Sequence, residues 1–314
     1  MDHTESTVID YSQKVLTQVR KAVVGKDSVL LWVLATFLAK GHILLEDIPG
    51  VGKTTMALAF SRALGLSHNR VQFTPDVLPS DVTGYSVLDQ QTGQLVYKPG
   101  AVLCNLFLAD ELNRATSRTQ SALLEAMEEG QVTVDGTSHK LPSCFTVIAT
   151  QNPVGAAGTQ LLPDSQIDRF MIRLSLGYPE PKDEVNMILS RQGKDPLSTV
   201  EAVMDAPLLQ QLQKTVADTH VAPEIATYAV QLVDATRRSE ALLRGGSPRA
   251  TLAVISLSKA IAQLQGRDYV IPKDIQEVFV QAVAHRVQLA PGQESSPKQL
   301  LTSLMSAIRP PKLI

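Results

Sequence analysis

The chain has 314 residues, of which 44% are hydrophobic and 4% aromatic, and its formal net charge is −2. The length allows two domains, the near-neutral charge gives no overall basic surface for nucleic acid, and few aromatic side chains are present to stack unpaired bases. Cys104 and Cys144 lie far apart in apolar runs, which favours buried packing over a disulfide or a zinc site. The six histidines lack metal-binding spacing, so we predict no structural metal.

The start of the chain, Met1–Ser6, is polar and acidic and does not resemble a signal peptide. No apolar run approaches the length of a membrane span. We therefore expect a cytoplasmic protein.

Two helices are predicted at the beginning of the chain. Apolar residues at helical spacing indicate one helix over 9–22 and a second over 26–40, in which Trp32 is expected to pack. Val24 and Gly25 separate the two helices. They could border an adenine ring if a nucleotide site follows, although such residues indicate nothing alone.

A phosphate-binding turn is predicted at Asp47–Thr55, between an apolar strand at 42–45 and a helix at 56–64. Backbone N–H groups and the helix dipole converge where a glycine-rich turn enters a helix. Asp47 stands where the P-loop pattern has its first glycine, which weakens the literal match. A chance Gly-Lys-Thr in an ordinary turn is the alternative, and the flanking strand and helix disfavour it.

The residues inside this turn suit the chemistry. Gly50 and Gly52 let the backbone approach a phosphate, because a Cβ would be in the way. Lys53 can reach the β- and γ-phosphates, and the Thr54 hydroxyl can bind Mg²⁺.

Strands and hairpins continue to about residue 178. The predicted elements are a strand at 70–73, a hairpin at 85–97, a strand at 106–109, a helix at 117–128, a hairpin at 130–137 that turns at Asp135-Gly136, and strands at 143–150 and ending at Leu176.

Two adjacent carboxylates, Asp110 and Glu111, follow the strand at 106–109 directly. Many Asp-Glu pairs are solvated turns, but four apolar residues precede this one. Asp110 is predicted beside a magnesium ion, and Glu111 is predicted to polarise the attacking water as general base.

Five further polar residues are candidates. Asn152 ends an apolar strand and could orient the water or contact the γ-phosphate, with Thr150 as its competitor. Arg169 follows the last strands at the spacing of a finger that reaches a neighbouring subunit, and Arg249 begins a later helix. The arginine fork can hold two phosphate oxygens. Ion pairs between domains are the plain alternative for both, and Arg114 is a weaker interface candidate.

The composition changes at Pro179–Lys182, after which no further strand is predicted. The first part is therefore α/β with parallel-type strands, and the second part is a helical bundle. Helices are predicted at 184–192, 207–217, 223–238, 249–264, 273–289 and 300–308.

In these motifs the chain resembles the MoxR family of AAA+ ATPases over nearly its whole length. Asp47 matches that family's own P-loop, and Asp164 and Ile167 depart mildly from its usual Glu and Leu. The resemblance is carried by Gly41–Thr54, Leu108–Ala115, Gln120–Met127, Ile148–Pro153, Leu162–Phe170 and Ser247–Ala250.

The resemblance implies an AAA+ αβα core with a parallel sheet over 1–178, followed by a linker and an all-helical lid over 179–314. Residues 84–100 resemble the family's helix-2 insert, and 130–140 its pre-sensor hairpin. Lys53 and Thr54 become Walker A residues, Asp110 and Glu111 Walker B, Asn152 sensor 1, Arg169 the arginine finger and Arg249 sensor 2.

These motifs together predict catalytic, metal-binding and nucleotide-binding residues. We predict catalytic roles for Glu111, Asn152, Arg169 and Arg249, magnesium binding by Thr54 and Asp110, and nucleotide binding by Val24, Gly25, Pro49, Gly50, Val51, Gly52, Lys53, Thr54, Thr55 and Asp110.

The family implies Mg²⁺-dependent ATP hydrolysis by a ring, expected to be hexameric, that acts as a chaperone in maturation, activation or cofactor insertion of client complexes. A von Willebrand factor A domain partner is also implied, and no nucleic acid is expected. The alternative is a nucleic-acid-remodelling motor. The hairpin at 131–140 argues against it, because its only potential cations are His139 and Lys140. A nucleotide-gated scaffold would need a degraded site, and none of these motifs is degraded.

Overall fold

The structure, a computed structural model, describes residues 7–48, 50–152, 162–190 and 195–312. Pro49, predicted to contact nucleotide, lies outside these residues. The elements of the first part are α1 (Val8–Arg20), α2 (Asp27–Leu38), β1 (Ile43–Glu46), α3 (Lys53–Ala63), β2 (His68–Gln72), α4 (Pro79–Thr83), β3 (Gly84–Leu88), β4 (Leu95–Pro99), β5 (Leu106–Asp110), α5 (Ser117–Glu129), β6 (Gln131–Val134), β7 (Thr137–Lys140), β8 (Thr146–Gln151), α6 (Asp164–Ile167) and β9 (Ile172–Leu174).

Five of these strands form a parallel sheet in the order β2-β5-β8-β1-β9. Every residue of β5 and β8 is buried, as the apolar runs predict. Because the strands are parallel, their carboxyl ends meet at one edge of the sheet. The turn after β1 and the polar residues after β5 and β8 are therefore brought together there.

Each face of the sheet carries its own hydrophobic cluster, since side chains alternate along a strand. Ile43 and Leu45 of β1 belong to one cluster, together with α1, α2, α3 and helices from the second part of the chain. Leu44 belongs to the other cluster, which includes side chains of α5.

Two antiparallel hairpins extend from the sheet at the predicted places. One is β3–β4 and the other is β6–β7. Asp135 and Gly136 both have positive φ, as a tight two-residue turn requires. The ring of Tyr97 in β4 stacks on that of His139 in β7, with centroids 3.7 Å apart, so the hairpins contact each other.

The second part of the chain is mainly helical, but the prediction that it contains no strand is wrong. A short antiparallel pair joins β10 to β11, and the helix predicted over 273–289 ends at Val283 to allow it. Such short strands show no alternation in the sequence. The elements are α7 (Pro181–Ser190), α8 (Ala206–Ala217), α9 (Pro223–Arg238), β10 (Leu242–Arg244), α10 (Pro248–Leu264), α11 (Pro272–Val283), β11 (Gln288–Leu289) and α12 (Pro297–Ala307).

Cys104 and Cys144 are buried free thiols, in agreement with the packing role predicted for them. Burial raises the pKa of Cys104 to about 11, which keeps its thiol protonated at neutral pH. Across the described ranges, none of the helices combines the length and the apolar character that crossing a membrane requires.

Candidate functional site

The turn after β1 opens toward solvent at the N-terminus of α3. Gly50 and Gly52 have φ values of 87° and 95°, and a Cβ added at either would meet no described atom within 4 Å. This left-handed backbone favours glycine. The buried ammonium of Lys53 donates to the carbonyl oxygens of Asp47 and Ile48, at 2.6 and 3.1 Å. Burial lowers the pKa of Lys53, and the carboxylates around it oppose that shift.

Asp47 anchors the turn to the chain that follows β9. Its buried carboxylate accepts hydrogen bonds from the Ser175 hydroxyl at 2.8 Å and from the backbone N–H groups of Leu176 and Gly177. The residue that replaces the usual first glycine of a P-loop therefore connects the phosphate-binding turn to the start of the helical part.

The carboxylate of Asp110 lies at the end of β5 and is nearly buried. Its Oδ1 accepts from the Thr150 hydroxyl at 2.8 Å. Its Oδ2 accepts from Arg70 Nε at 2.9 Å and lies 3.4 Å from the Thr54 hydroxyl. The predicted metal ligands Thr54 and Asp110 are thus adjacent.

Glu111 has a left-handed backbone with φ of 54°, which is uncommon for a residue with a side chain. Its N–H donates to the Thr150 hydroxyl at 2.9 Å. One carboxylate oxygen accepts from Asn152 at 3.2 Å, and the other lies 2.8 Å from the Arg114 guanidinium. Thr150 and Asn152, which the sequence presents as competitors, therefore contact different parts of the same acidic pair.

A cavity of about 310 Å³ unites these groups. The predicted phosphate-binding turn, the acidic pair and Asn152 all line it. The lining residues are Gly50, Gly52, Lys53, Thr54, Thr55, Arg70, Gln72, Asp110, Glu111, Thr150 and Asn152.

The donors in this cavity fit a magnesium ion. The Thr54 hydroxyl and the Asp110 carboxylate supply hard oxygen atoms beside a phosphate-binding turn. Mg²⁺ usually takes one or two such protein ligands and completes its shell with phosphate oxygens and water. Arg70 bonds the same Asp110 oxygen that faces Thr54, so this cation neutralises the carboxylate in the present arrangement.

A second cavity, of about 340 Å³, adjoins the turn on the side of the predicted adenine contacts. Val24 and Val51 line it, and so do Tyr178 and Met187 from the chain after β9. Gly25 has φ of +72°, and a Cβ there would lie 1.9 Å from a carboxylate oxygen of Asp183. Gly25 therefore allows the α1–α2 connection to pass close to α7 and does not itself line the cavity.

Arg169 and Arg249 lie together, but away from the cavity that contains the P-loop. Both form ion pairs with Glu128 at the end of α5, that of Arg169 at 2.7 Å. Arg169 also donates to the carbonyl oxygen of Leu124 at 2.9 Å. They line a separate cavity of about 260 Å³. Within one chain, the two predicted arginines thus meet each other and not the predicted phosphate site.

Comparison with known proteins agrees with this geometry. A family model described as the ATPase family associated with various cellular activities (AAA) matches residues 42–172, and an AAA lid domain model matches residues 234–304. Chaperone MoxR1 of Mycobacterium tuberculosis is 37% identical over 313 residues, covering 96% of this chain and 82% of MoxR1. The chain belongs to the MoxR family of AAA+ ATPases.

Two further relatives of this MoxR-family chain span almost all of it. YeaC of Bacillus subtilis, described as uncharacterized, is 42% identical over 301 residues, covering 95% of this chain and 94% of YeaC. A crystal structure from Cytophaga hutchinsonii, described provisionally as an ATPase, matches with a TM-score of 0.88 and 33% identity over 96% of both chains. The parallel sheet and helical lid are therefore the AAA+ architecture.

Sequence reasoning missed three side chains around the MoxR-family site. They are Arg70 on Asp110, Tyr178 at the second cavity and Glu128 between the two arginines. Arg70 carried no local signal, because its contact with Asp110 depends on β2 lying beside β5 in the sheet. Glu128 carried none, since its partners come from distant parts of the chain.

Thr150 provides a test of the acidic end of β5. Thr150→Val removes the hydroxyl that bridges Asp110 Oδ1 and the Glu111 N–H, so that each of these two atoms loses this partner at a cost of about 1–3 kcal/mol. We expect a lower unfolding temperature and slower MgATP hydrolysis, while Thr150→Ser, which keeps the hydroxyl, behaves nearly as wild type. If the valine and serine variants had the same unfolding temperature and the same hydrolysis rate, the Thr150 hydroxyl would contribute to neither stability nor activity.

Proposed function

We propose that the protein hydrolyses ATP with Mg²⁺ and uses the energy to remodel a client protein complex. One observation carries the proposal. The Walker A turn and the Asp110-Glu111 pair surround a single cavity, and the Glu111 carboxylate is held there by two hydrogen-bonding partners.

The residues divide the chemistry between them. Gly50, Gly52 and Lys53 bind the phosphates, since the turn presents backbone N–H groups and an ammonium there. Thr54 and Asp110 would hold Mg²⁺, which when bound offsets the charge of the phosphates. Glu111 takes the proton of the attacking water, and Asn152 orients Glu111 or that water.

Stabilising the transferring phosphoryl group also requires a guanidinium. The predicted finger, Arg169, does not lie in the cavity of its own chain. We infer that a neighbouring subunit supplies Arg169 and Arg249 in a ring, for which a hexamer is expected. The two arginines share Glu128, so they belong to one surface and would reach the same phosphates. Phosphate oxygens would then replace Glu128 as their anionic partner.

A protein client fits the exposed surface better than a nucleic acid does. The β3–β4 hairpin presents Leu88 and Leu95, paired across the strands and 63% and 67% exposed. Apolar side chains of this kind suit contact with a polypeptide, whereas nucleic acid binding relies on clustered cations. We extend the proposal to chaperone action, since one relative is named Chaperone MoxR1. The resemblance to the MoxR family adds the expectation of a von Willebrand factor A domain partner and of a cytoplasmic location.

Glu111→Gln tests the hydrolytic assignment. The variant should bind ATP as wild type does but lose about 10²–10⁴-fold in turnover, because it lacks the general base. Steady-state hydrolysis and the affinity for a fluorescent ATP analogue measure the two effects. Glu129→Gln, the same change at an exposed position of α5, is the control. Wild-type turnover in Glu111→Gln would remove Glu111 from the mechanism.

Nucleic acid stimulation separates the motor alternative from the chaperone proposal. We expect single- and double-stranded DNA to leave the ATP hydrolysis rate unchanged at physiological salt, because the described hairpins carry few cations. The titration is repeated at low and high salt. A severalfold increase with DNA that disappears at high salt would favour the motor.

A further inference from the structure

A buried arginine, Arg286, contacts the finger segment, Asp168–Phe170. Arg286 follows α11, and its side chain is 3% exposed. Its Nη2 donates to the carbonyl oxygens of Asp168 and Phe170, at 3.1 and 2.8 Å. Its Nε lies 3.2 Å from Asp168 Oδ1. One guanidinium therefore binds the backbone on both sides of Arg169.

Two neighbours of this contact connect it to α10 and α11. The Ser247 hydroxyl donates to the carboxylate of Asp168, lying 2.9 and 3.1 Å from its two oxygens. Ser247 is the N-cap of α10, two residues before Arg249. The His285 Nε2 lies 2.9 Å from the carbonyl oxygen of Phe170. The Asp168 carboxylate thus joins the finger segment to the helix that carries the second arginine.

A charged side chain at this buried position costs free energy unless nearby groups of opposite charge or hydrogen-bond acceptors contact it. Burial lowers the pKa of Arg286 to about 10, an effect that Asp168 opposes, so the guanidinium remains charged at neutral pH. A lysine ammonium is a compact donor without the planar fork, and it cannot reproduce contacts to two separate carbonyl groups and a carboxylate.

We propose that Arg286 is a positioning residue for the arginine finger. It fixes the backbone that flanks Arg169 and, through Asp168 and Ser247, holds Arg169 at a set place relative to Arg249. The lid and the finger then approach the neighbouring subunit's nucleotide as one unit. This inference rests on the proposed role of Arg169 in the neighbour's site.

The test is a double-mutant cycle that combines Arg286→Lys with Arg169→Ala. In the wild-type background, Arg286→Lys should lower the kcat of ATP hydrolysis about 10- to 100-fold, because a displacement near 1 Å can cost that much. Nucleotide affinity should stay within about twofold, since the chain's own P-loop is unchanged. In the Arg169→Ala background, Arg286→Lys should lower kcat by less than about twofold further.

Arg267→Lys is the matched control. Arg267 also forms a largely buried ion pair in the lid, with Asp274 at 2.6 Å, but it does not contact the finger segment. Its replacement should lower the unfolding temperature and leave kcat near wild type. Ser247→Ala, which removes one hydroxyl from Asp168, gives a milder variant if Arg286→Lys does not fold. It should lower kcat severalfold, and only when Arg169 is present.

Three results would overturn the inference. Equal loss of kcat from Arg286→Lys in both backgrounds would show that Arg286 acts independently of Arg169. Wild-type kcat in folded Arg286→Lys, or in Ser247→Ala when the lysine variant does not fold, would show that the finger needs no such support. Wild-type kcat in Arg169→Ala alone would remove the finger itself, and this outcome identifies the proposed function, rather than Arg286, as the error.

Discussion

Two adjacent carboxylates at the end of a fully buried strand are the constraint around which the structure is arranged. Asp110 and Glu111 bring negative charge to the edge of a hydrophobic sheet, and such charge must be bonded to stay there. Thr150 bridges them, while Arg70 and Arg114 each hold one carboxylate. The parallel sheet supplies this arrangement, because strand ends and the phosphate-binding turn meet at the same edge.

The carboxylates and arginines proposed for catalysis all form ion pairs within the single chain. Asp110 is bonded to Arg70 where a metal ion is proposed, and Arg169 and Arg249 share Glu128 where a neighbour's phosphates are proposed. Assembly with bound nucleotide would exchange these partners for others of the same charge. In the proposed ring, each subunit would thus keep these charged groups paired until a neighbouring subunit supplied the other half of the site.

The sequence predicts the local parts of this arrangement well. Residues of the P-loop and the acidic pair are neighbours along the chain or end adjacent strands, so pattern and spacing suffice to place them. The contact between Arg70 and Asp110 depends on strand order, and the contact of Glu128 with two arginines depends on how the lid packs. The β10–β11 pair is too short to leave a pattern. These features come from tertiary packing, which no local signal encodes.

We propose that one subunit supplies Glu111 and its neighbour supplies both arginines. Mixing inactive variants under subunit exchange tests it most directly. Glu111→Gln mixed with Arg169→Ala, or with Arg249→Ala, should regain partial ATP hydrolysis, because some interfaces then combine intact halves. Arg169→Ala mixed with Arg249→Ala should remain inactive, since every donating surface lacks one arginine. Recovery in that last mixture, or none in the first two, would contradict the shared site.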